Sequence, residues 1–286
     1  MDKLKLHILH TGSVFVSPYL AFNPDRGGLL KVSGVFMPKK EKVWLPVSCY
    51  YIEHPKGKVL VDTGWDRKIS PDGVYDSKAQ AEALYSRLLV IPNKGLLPKG
   101  EAVDEQLAAM GVSTSELDYV VLTHLDCDHV GGLKQVADAK KILVSEDEMK
   151  SAHGGSIENR IRYQKGFWEG VPLTTIAWNG TEGPFKESFD LFGDGTIQLV
   201  HIPGHSVGLC AVKITGRDGK FILLTSDGAY SKRNWQEMVP SGIHDSYGKQ
   251  MKSLEWIRQQ GLSENCIDII STHDPDVKPH VEEIEL

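Results

Sequence analysis

The chain has 286 residues, of which 41% are hydrophobic and 24% charged, and its formal net charge is -6. This length can bury a substantial core without disulfides or a structural metal, and the composition is not that of a disordered chain. The acidic balance gives no general attraction to nucleic acid or to an anionic membrane. We therefore expect a globular protein with no nucleic-acid partner and no membrane partner.

Four cysteines, at positions 49, 127, 210 and 266, are widely spaced and include no CxxC pair. This usage favours reduced thiols over a disulfide framework. The first residues lack the apolar run of a secretory signal, and no later segment approaches a membrane-spanning length. These features predict a cytoplasmic protein. The sequence has no internal repeat, low-complexity tract or linker, which predicts a single domain over residues 1–286.

The first part of the chain is rich in β-strand patterns. The stretches "LKLHILHTG", "VSCYYIEH" and "KVLVDTG" predict strands, and "HPKG" predicts a hairpin connection between the last two. Apolar residues at helical spacing then predict a helix from Ser77 to about Val90 and a second one in "EAVDEQLAAMG". The short apolar run in "LDYVVLTH" predicts a buried strand that ends in polar residues.

The second part continues with "KKILVS" as a strand and "EDEMKSAH" as the start of a helix. Strands are predicted in "DGTIQLVHIPGH" and "GLCAVKITGRDGKFILLTSDG", with Asp218 and Gly219 in a tight turn. A helix in "DSYGKQMKSLEWIRQQG" precedes a final strand in "CIDIISTHD". Two β-rich halves with helices beside them predict an α+β fold with stacked sheets inside.

Metal-ligating side chains follow four of the predicted strands. The stretch "THLDCDHVGG" carries four of them after one strand, and three later strands each end in one more. The seven candidate ligands are His124, Asp126, Asp128, His129, His205, Asp227 and His273. One histidine near a strand end is usually structural, but imidazoles and carboxylates in several strand-end loops suit zinc, iron, manganese or cobalt. A single catalytic zinc uses about three protein ligands, so seven predict two ions that share one carboxylate.

This constellation resembles the metallo-β-lactamase superfamily, whose signature HxHxDH is followed by a distant His, an Asp and a last His. The stretch "VLVDTG" is similar to its early Asp motif, and "HIPGHSVG" is similar to its loop around the later histidine. The resemblance implies an αββα sandwich of two stacked mixed β-sheets with outer helices. Its metal site would lie in a groove at one edge of the sheets.

Within the superfamily, the chain looks most like N-acyl homoserine lactonase-like hydrolases. The early hairpin in "PVSCYYIEHPKGKVLVDTGWD" and the ending "THDPDV" carry this resemblance. The spacing of Asp227 and Tyr230 also matches an Asp-x-x-Tyr in which the tyrosine contacts the substrate carbonyl. The alternative is that Tyr230 only packs beside the site. The implied substrate is a small-molecule lactone or ester, and the chain would be a monomer or a homodimer.

The resemblance also implies which residues share each ion. His124, Asp126 and His205 would bind the first metal, while Asp128, His129 and His273 would bind the second. Asp227 would bridge the two ions.

Asp126 stands where the superfamily normally has histidine. With two divalent ions and a bridging hydroxide, three carboxylates leave no net charge, whereas two leave one positive charge. Asp126 should therefore make the centre less electrophilic and favour iron or manganese relative to zinc, which is otherwise the expected metal. The alternative is that Asp126 turns away and leaves the first site weak or empty.

These residues predict a dinuclear, metal-dependent hydrolase that opens a lactone ring with metal-activated hydroxide. Tyr230 would help to stabilise the oxyanion, and Asp128 would pass a proton to the leaving alkoxide. Asp62 would orient a ligand imidazole or anchor a turn. Other hydrolases of the fold act on thioesters, β-lactams or phosphodiesters. A carboxylate-rich diiron oxidoreductase and a non-enzymatic metal sensor are weaker alternatives.

Overall fold

The computed structural model describes residues 3–286 and forms thirteen strands over them. The strands are β1 (Lys3–Val16), β2 (Val43–His54), β3 (Gly57–Val61), β4 (Lys94–Leu96), β5 (Tyr119–Val121), β6 (Ile142–Ser145), β7 (Thr174–Ile176), β8 (Ser188–Asp190), β9 (Ile197–His201), β10 (Cys210–Thr215), β11 (Phe221–Leu224), β12 (Cys266–Ile270) and β13 (His280–Glu285). These strands build the two sheets that carry the site.

Nine α-helices and several short 3-10 helices connect these strands within the same described range. The α-helices are α1 (Pro18–Ala21), α2 (Leu29–Ser33), α3 (Ser77–Ala83), α4 (Val103–Ala109), α5 (Cys127–Val130), α6 (Glu146–Ala152), α7 (Ile157–Arg162), α8 (Lys232–Glu237) and α9 (Tyr247–Gly261). None of the helices in residues 3–286 is both long and apolar enough to cross a bilayer.

The strands form two mixed sheets. The first has the order β13-β1-β2-β3-β5-β6-β7, with β4 paired to β1, and the second has the order β12-β11-β10-β9-β8. Strands β3, β5, β6 and β7 are parallel to one another. In the second sheet β9, β11 and β12 point the same way, because β10 is antiparallel to both β9 and β11. The carboxyl ends of these three strands therefore share one edge of the sheet.

Side-chain alternation along the strands builds three apolar layers. In β3, Val59 and Val61 face the core between the sheets, whereas Leu60 packs under helices on the outer face of the first sheet. In β11, Ile222 packs between the sheets and Leu223 packs on the outer face with α9. The order is helix, sheet, sheet, helix, so the predicted αββα sandwich is confirmed.

Most predicted elements are present. The hairpin between β2 and β3 turns through Pro55 and Lys56, and the turn between β10 and β11 has Gly219 at a φ of 81°. The helix predicted to reach about Val90 is wrong in extent, since α3 ends at Ala83 and Tyr85 takes a φ of 54°. The strand predicted to be the last is β12, but β13 follows it and pairs with β1.

Candidate metal centre

All seven candidate ligands lie just beyond the carboxyl ends of four strands. The loop after β5 carries His124 and Asp126, the N-cap residue of α5, and α5 itself carries Asp128 and His129. His205, Asp227 and His273 follow β9, β11 and β12. Because those three strands point the same way, their loops meet at one edge and face the loop after β5. The structure thus brings together every ligand that the sequence predicts.

Each of the four histidines is held through its Nδ1 atom. The partners are Thr123 Oγ1 for His124 at 3.1 Å, Asp62 Oδ2 for His129 at 2.8 Å, the Ile243 carbonyl for His205 at 3.2 Å, and the Pro46 carbonyl for His273 at 2.8 Å. A hydrogen bond at Nδ1 fixes the ring and leaves Nε2 available for a metal. All four rings therefore present the same nitrogen to the cluster.

Six of the candidate ligands fall into two groups of three, each of which could hold a metal ion. The ligand atoms of His124, Asp126 and His205 lie within 4.8 Å of one another, as do those of Asp128, His129 and His273. Over residues 3–286, the Nε2 atoms of His124 and His129 and the Oδ1 atom of Asp227 are buried without a hydrogen-bond partner. Buried polar atoms are normally paired, so such a group of unpaired ligand atoms indicates a site for a cation.

Asp227 lies between the two donor groups. Its Oδ1 atom is 3.1 Å from Nε2 of His129 and 3.2 Å from Nε2 of His273, whereas Oδ2 is 3.5 Å from Nε2 of His205. One oxygen therefore faces the histidines of the second group, and the other faces a histidine of the first. This is the arrangement that a shared carboxylate requires.

Asp126 points into the cluster rather than away from it. Its Oδ2 atom lies 2.9 Å from Nε2 of His205 and 3.5 Å from Nε2 of His124. Both oxygens also accept hydrogen bonds from Arg162, at 2.5 Å from Nε and 2.8 Å from Nη2. The sequence interpretation did not include Arg162, which lies 36 residues further along the chain.

Local charges favour the metal-binding form of Asp126, Asp227 and His124. For His129 and His273, burial opposes protonation, but the charge of Asp227 outweighs it and raises both pKa values. Burial by itself would raise the pKa of Asp126, but Arg162 and the adjacent imidazoles outweigh it and hold this pKa well below its usual range. Burial also opposes ionisation of Asp227, yet His273 and His129 hold its pKa well below normal. Burial lowers the pKa of His124. Anionic carboxylates and neutral imidazoles are the forms that coordinate metals.

Tyr230 packs against two of the candidate histidine ligands. It is buried, its ring stacks on His273 with centroids 4.9 Å apart, and it meets His205 edge-on at 6.0 Å. Burial raises the pKa of its phenol well above normal, and the charge of Asp227 adds to this. The hydroxyl therefore remains a hydrogen-bond donor at neutral pH. Cys127, in contrast, packs in the apolar core.

Asp62 is the acceptor that orients His129. Besides that contact, Oδ1 accepts the Thr123 amide at 2.8 Å and Oδ2 lies 2.8 Å from the Thr123 hydroxyl. Asp62 has a φ of 57°, a left-handed conformation that aspartate and asparagine tolerate better than most residues. It thus links the loop after β3 to the ligand loop after β5.

An Asp62→Asn substitution should preserve the backbone and weaken metal binding. The amide lacks the charge that holds the Nδ1 proton of His129, and losing such a partner costs about 10- to 100-fold in metal affinity. A competition titration with a metal-sensitive chelator would measure the change. Asp118→Asn is the control, because Asp118 accepts a backbone amide at the opposite end of β5. Equal weakening in both variants would contradict the orienting role.

Glu148 is a buried carboxylate that the sequence interpretation did not single out. Its Oε1 atom accepts the Leu125 amide at 3.1 Å, and Oε2 accepts the Ser206 hydroxyl at 2.8 Å and the Gly208 amide at 2.9 Å. Leu125 and Ser206 lie next to ligands in two different loops. Glu148 therefore joins the two loops that supply the first donor group.

A Glu148→Ala substitution should lower the free energy of unfolding of the metal-free protein by about 3 kcal/mol or more, because it leaves three buried donors without an acceptor. Chemical denaturation would measure the loss. Glu146→Ala on the same helix is the control, since Glu146 forms only an exposed pair with Lys150. A loss no larger than that of the control would show that Glu148 does not hold the two loops together.

Two stretches of the sequence set aromatic residues among Gly and Pro, a pattern that could line an apolar substrate groove. In "RYQKGFWEGVPL", Tyr163, Phe167 and Trp168 are buried in the core over the first sheet, so they cover the sheet rather than line an open groove. In "SVFVSPYLAFNP", Leu20 is buried in the same core. The stretch "RYQKGFWEGVPL" begins with Arg162, which contacts the cluster through Asp126.

Two stacked sheets between helices, with buried imidazoles and carboxylates at the strand ends, define an αββα protein with a candidate metal centre. The sequence model described as the metallo-beta-lactamase superfamily matches residues 43–260. The chain belongs to this superfamily, and the predicted resemblance is confirmed.

Known proteins that resemble the chain include several named lactonases. N-acyl homoserine lactonase AttM of Rhizobium radiobacter is 26% identical over 238 residues, covering 81% of this chain and 83% of the relative. A solved N-acyl homoserine lactone hydrolase, with N-hexanoyl-L-homoserine at its catalytic metal centre, superimposes with a TM-score of 0.73 at 23% identity, covering 96% and 95% of the two chains. AidC, a dizinc quorum-quenching lactonase, gives a TM-score of 0.62 at 16% identity, covering 99% and 94%.

Proposed function

We propose that this protein is a dinuclear metal-dependent hydrolase that opens the lactone ring of N-acyl homoserine lactones. The observation that carries the proposal is the pair of three-residue donor groups with Asp227 facing both. The substrate class is supported by the relatives that are named N-acyl homoserine lactonases. The product would be the corresponding acyl homoserine, formed when water cleaves the acyl-oxygen bond of the ring.

We assign the first ion to His124, Asp126 and His205, and the second to Asp128, His129 and His273. Asp227 is the shared ligand. Three imidazole and carboxylate ligands with an open position suit catalytic zinc, whereas the added oxygen donor of Asp126 suits iron or manganese. When bound, the divalent ions polarise a carbonyl and lower the pKa of water.

The chain supplies the remaining groups. Tyr230 donates its hydroxyl hydrogen to the carbonyl oxygen of the lactone, where negative charge develops during attack. Its stacking on His273 keeps the ring beside both donor groups. Asp128 has its Oδ2 atom 3.6 Å from Nε2 of His273. We assign to its carboxylate the role of accepting the proton that the attacking water releases and of passing it to the leaving alkoxide.

The first experiment combines metal analysis with a substrate panel. Protein purified without added metal would be analysed for metal content and assayed on acyl homoserine lactones, thioesters and phosphodiesters. We expect about two ions per chain and preferential cleavage of the lactones. Fewer than two ions would contradict the dinuclear centre. Preferential cleavage of thioesters or phosphodiesters would show that these compounds, and not lactones, are the substrate class.

A further inference from the structure

Asp126 and Arg162 form a bidentate ion pair beside the first donor group. The guanidinium donates from Nε to Oδ1 at 2.5 Å and from Nη2 to Oδ2 at 2.8 Å, and each side chain is only 15% exposed. Two parallel hydrogen bonds fix the plane of a carboxylate, which a lysine ammonium cannot do. The pair is therefore an ordered contact rather than a loose surface ion pair.

Arg162 also contacts the second loop of the same donor group. Its Nη1 atom donates to the backbone carbonyl of His205 at 2.9 Å and lies 3.4 Å from Oδ1 of Asp245. Oδ2 of Asp126 still faces Nε2 of His205 at 2.9 Å. A carboxylate oxygen has two acceptor positions, so Oδ2 can accept from Arg162 and still face a cation between the imidazoles.

The charges of the pair cancel. A carboxylate in place of the usual imidazole adds one negative charge to the centre, and the nearby guanidinium adds one positive charge. The charge counted from the motif alone omits Arg162, which offsets the extra negative charge of Asp126. Together, Asp126 and Arg162 contribute the same net charge as a neutral histidine at this position. Asp245 lies further out, 3.4 Å from Nη1 of Arg162, and burial raises its pKa.

We propose that Asp126 and Arg162 act as one unit that replaces the usual histidine: Arg162 orients the carboxylate toward His124 and His205 and compensates its charge. Arg162 is thus a positioning residue for the first metal site. This inference rests on the proposed function, because it requires a metal at these ligands. It predicts that histidine can replace Asp126 without loss of the first metal site only when Arg162 is replaced as well.

The test uses cobalt-loaded protein, whose visible spectrum reports the metal environment independently of turnover. The pH midpoint of the spectral change would be measured for the wild type, Arg162→Met, Arg162→Lys, Asp126→His and the double variant Asp126→His with Arg162→Met. Arg160→Met is the matched control, because Arg160 lies on the same helix and is exposed. Metal content per chain would be measured in parallel.

We expect the pH midpoint of the spectral change in Arg162→Met to lie about one unit or more above the wild-type midpoint. Loss of the nearby positive charge makes ionisation of water at the metal less favourable, and a nearby charge shifts a pKa by about 1–3 units. Arg162→Lys keeps the charge but loses the two parallel hydrogen bonds, so its midpoint should stay near the wild-type value while the first ion binds more weakly. The double variant should return to the wild-type midpoint with two ions bound. Asp126→His alone should lose about one ion per chain, because it leaves the guanidinium without its carboxylate beside the first site.

An unchanged midpoint in Arg162→Met, or an equal shift in Arg160→Met, would overturn the inference. So would a double variant that binds fewer ions than the wild type. These results differ from a failure of the proposed function. A wild-type protein that binds cobalt but cleaves no lactone would contradict the proposed substrate but not the inference about Asp126 and Arg162. A wild-type protein that binds no cobalt would contradict both.

Discussion

An Asp227→Asn variant should lose most of its bound metal and about 10³-fold or more in kcat/KM. The carboxylate faces histidines of both donor groups, and its replacement by an amide removes the negative charge that it places between them. Metal ions supply several kcal/mol of transition-state stabilisation, and each 1.36 kcal/mol corresponds to a tenfold rate, which gives the size of the loss. Metal analysis and lactonase assays on the same preparation would test both parts.

The matched control for this variant is Asp218→Asn. Asp218 lies in the turn at the opposite end of β11, where it is exposed and pairs with Lys220. It should retain full metal content and activity. If Asp227→Asn kept two ions and wild-type turnover, the shared-ligand assignment would be wrong. A loss of folding in the variant would appear as a lower unfolding midpoint of the metal-free protein, which separates it from a loss of ligation.

A Tyr230→Phe variant should lose about 10²-fold in kcat with little change in KM or in metal content. The substitution removes only the hydroxyl, and removal of one donor to a developing oxyanion costs about 10²- to 10³-fold. The stacking of the ring on His273 should persist, because it does not involve the hydroxyl. Steady-state kinetics on an acyl homoserine lactone would measure the split between kcat and KM.

Tyr51→Phe is the control for the loss of a buried phenol. Tyr51 is buried in the core over the first sheet, and its hydroxyl has no hydrogen-bond partner in residues 3–286. Its variant should keep wild-type kcat. If Tyr230→Phe behaved in the same way, Tyr230 would only pack beside the centre. A change in KM alone would instead indicate that the hydroxyl contacts the lactone equally before and during the reaction.

The local sequence predicts the fold and the clustering of the candidate ligands for a physical reason. Apolar strands in β3 and β11 alternate between two buried faces, and this periodicity is visible without any tertiary contact. Polar residues after a buried strand lie at a sheet edge, where strands of the same direction end together. His124, Asp227 and His273 could therefore be grouped from their positions after strands.

The extent of α3 was less predictable. Leu84 and Leu88 have helical spacing, yet Leu84 is buried and Leu88 is 56% exposed. The helix ends at Ala83 because the chain turns at Tyr85, whose ring packs edge-on against Phe167 from a distant segment. Such a contact is set by the fold and leaves no periodic signal in the local sequence.

The sequence by itself determined the superfamily, the layered architecture and the seven candidate ligands, because these depend on residue type and spacing along single strands. Only the tertiary structure decided what surrounds the ligands. Glu148 and Arg162 come from helices outside the motif, and each acts on ligand loops that are distant in sequence. Charge acts through space rather than along the chain. The effect of the Asp126 charge on the centre could therefore be evaluated only from the folded structure, in which Arg162 lies against Asp126.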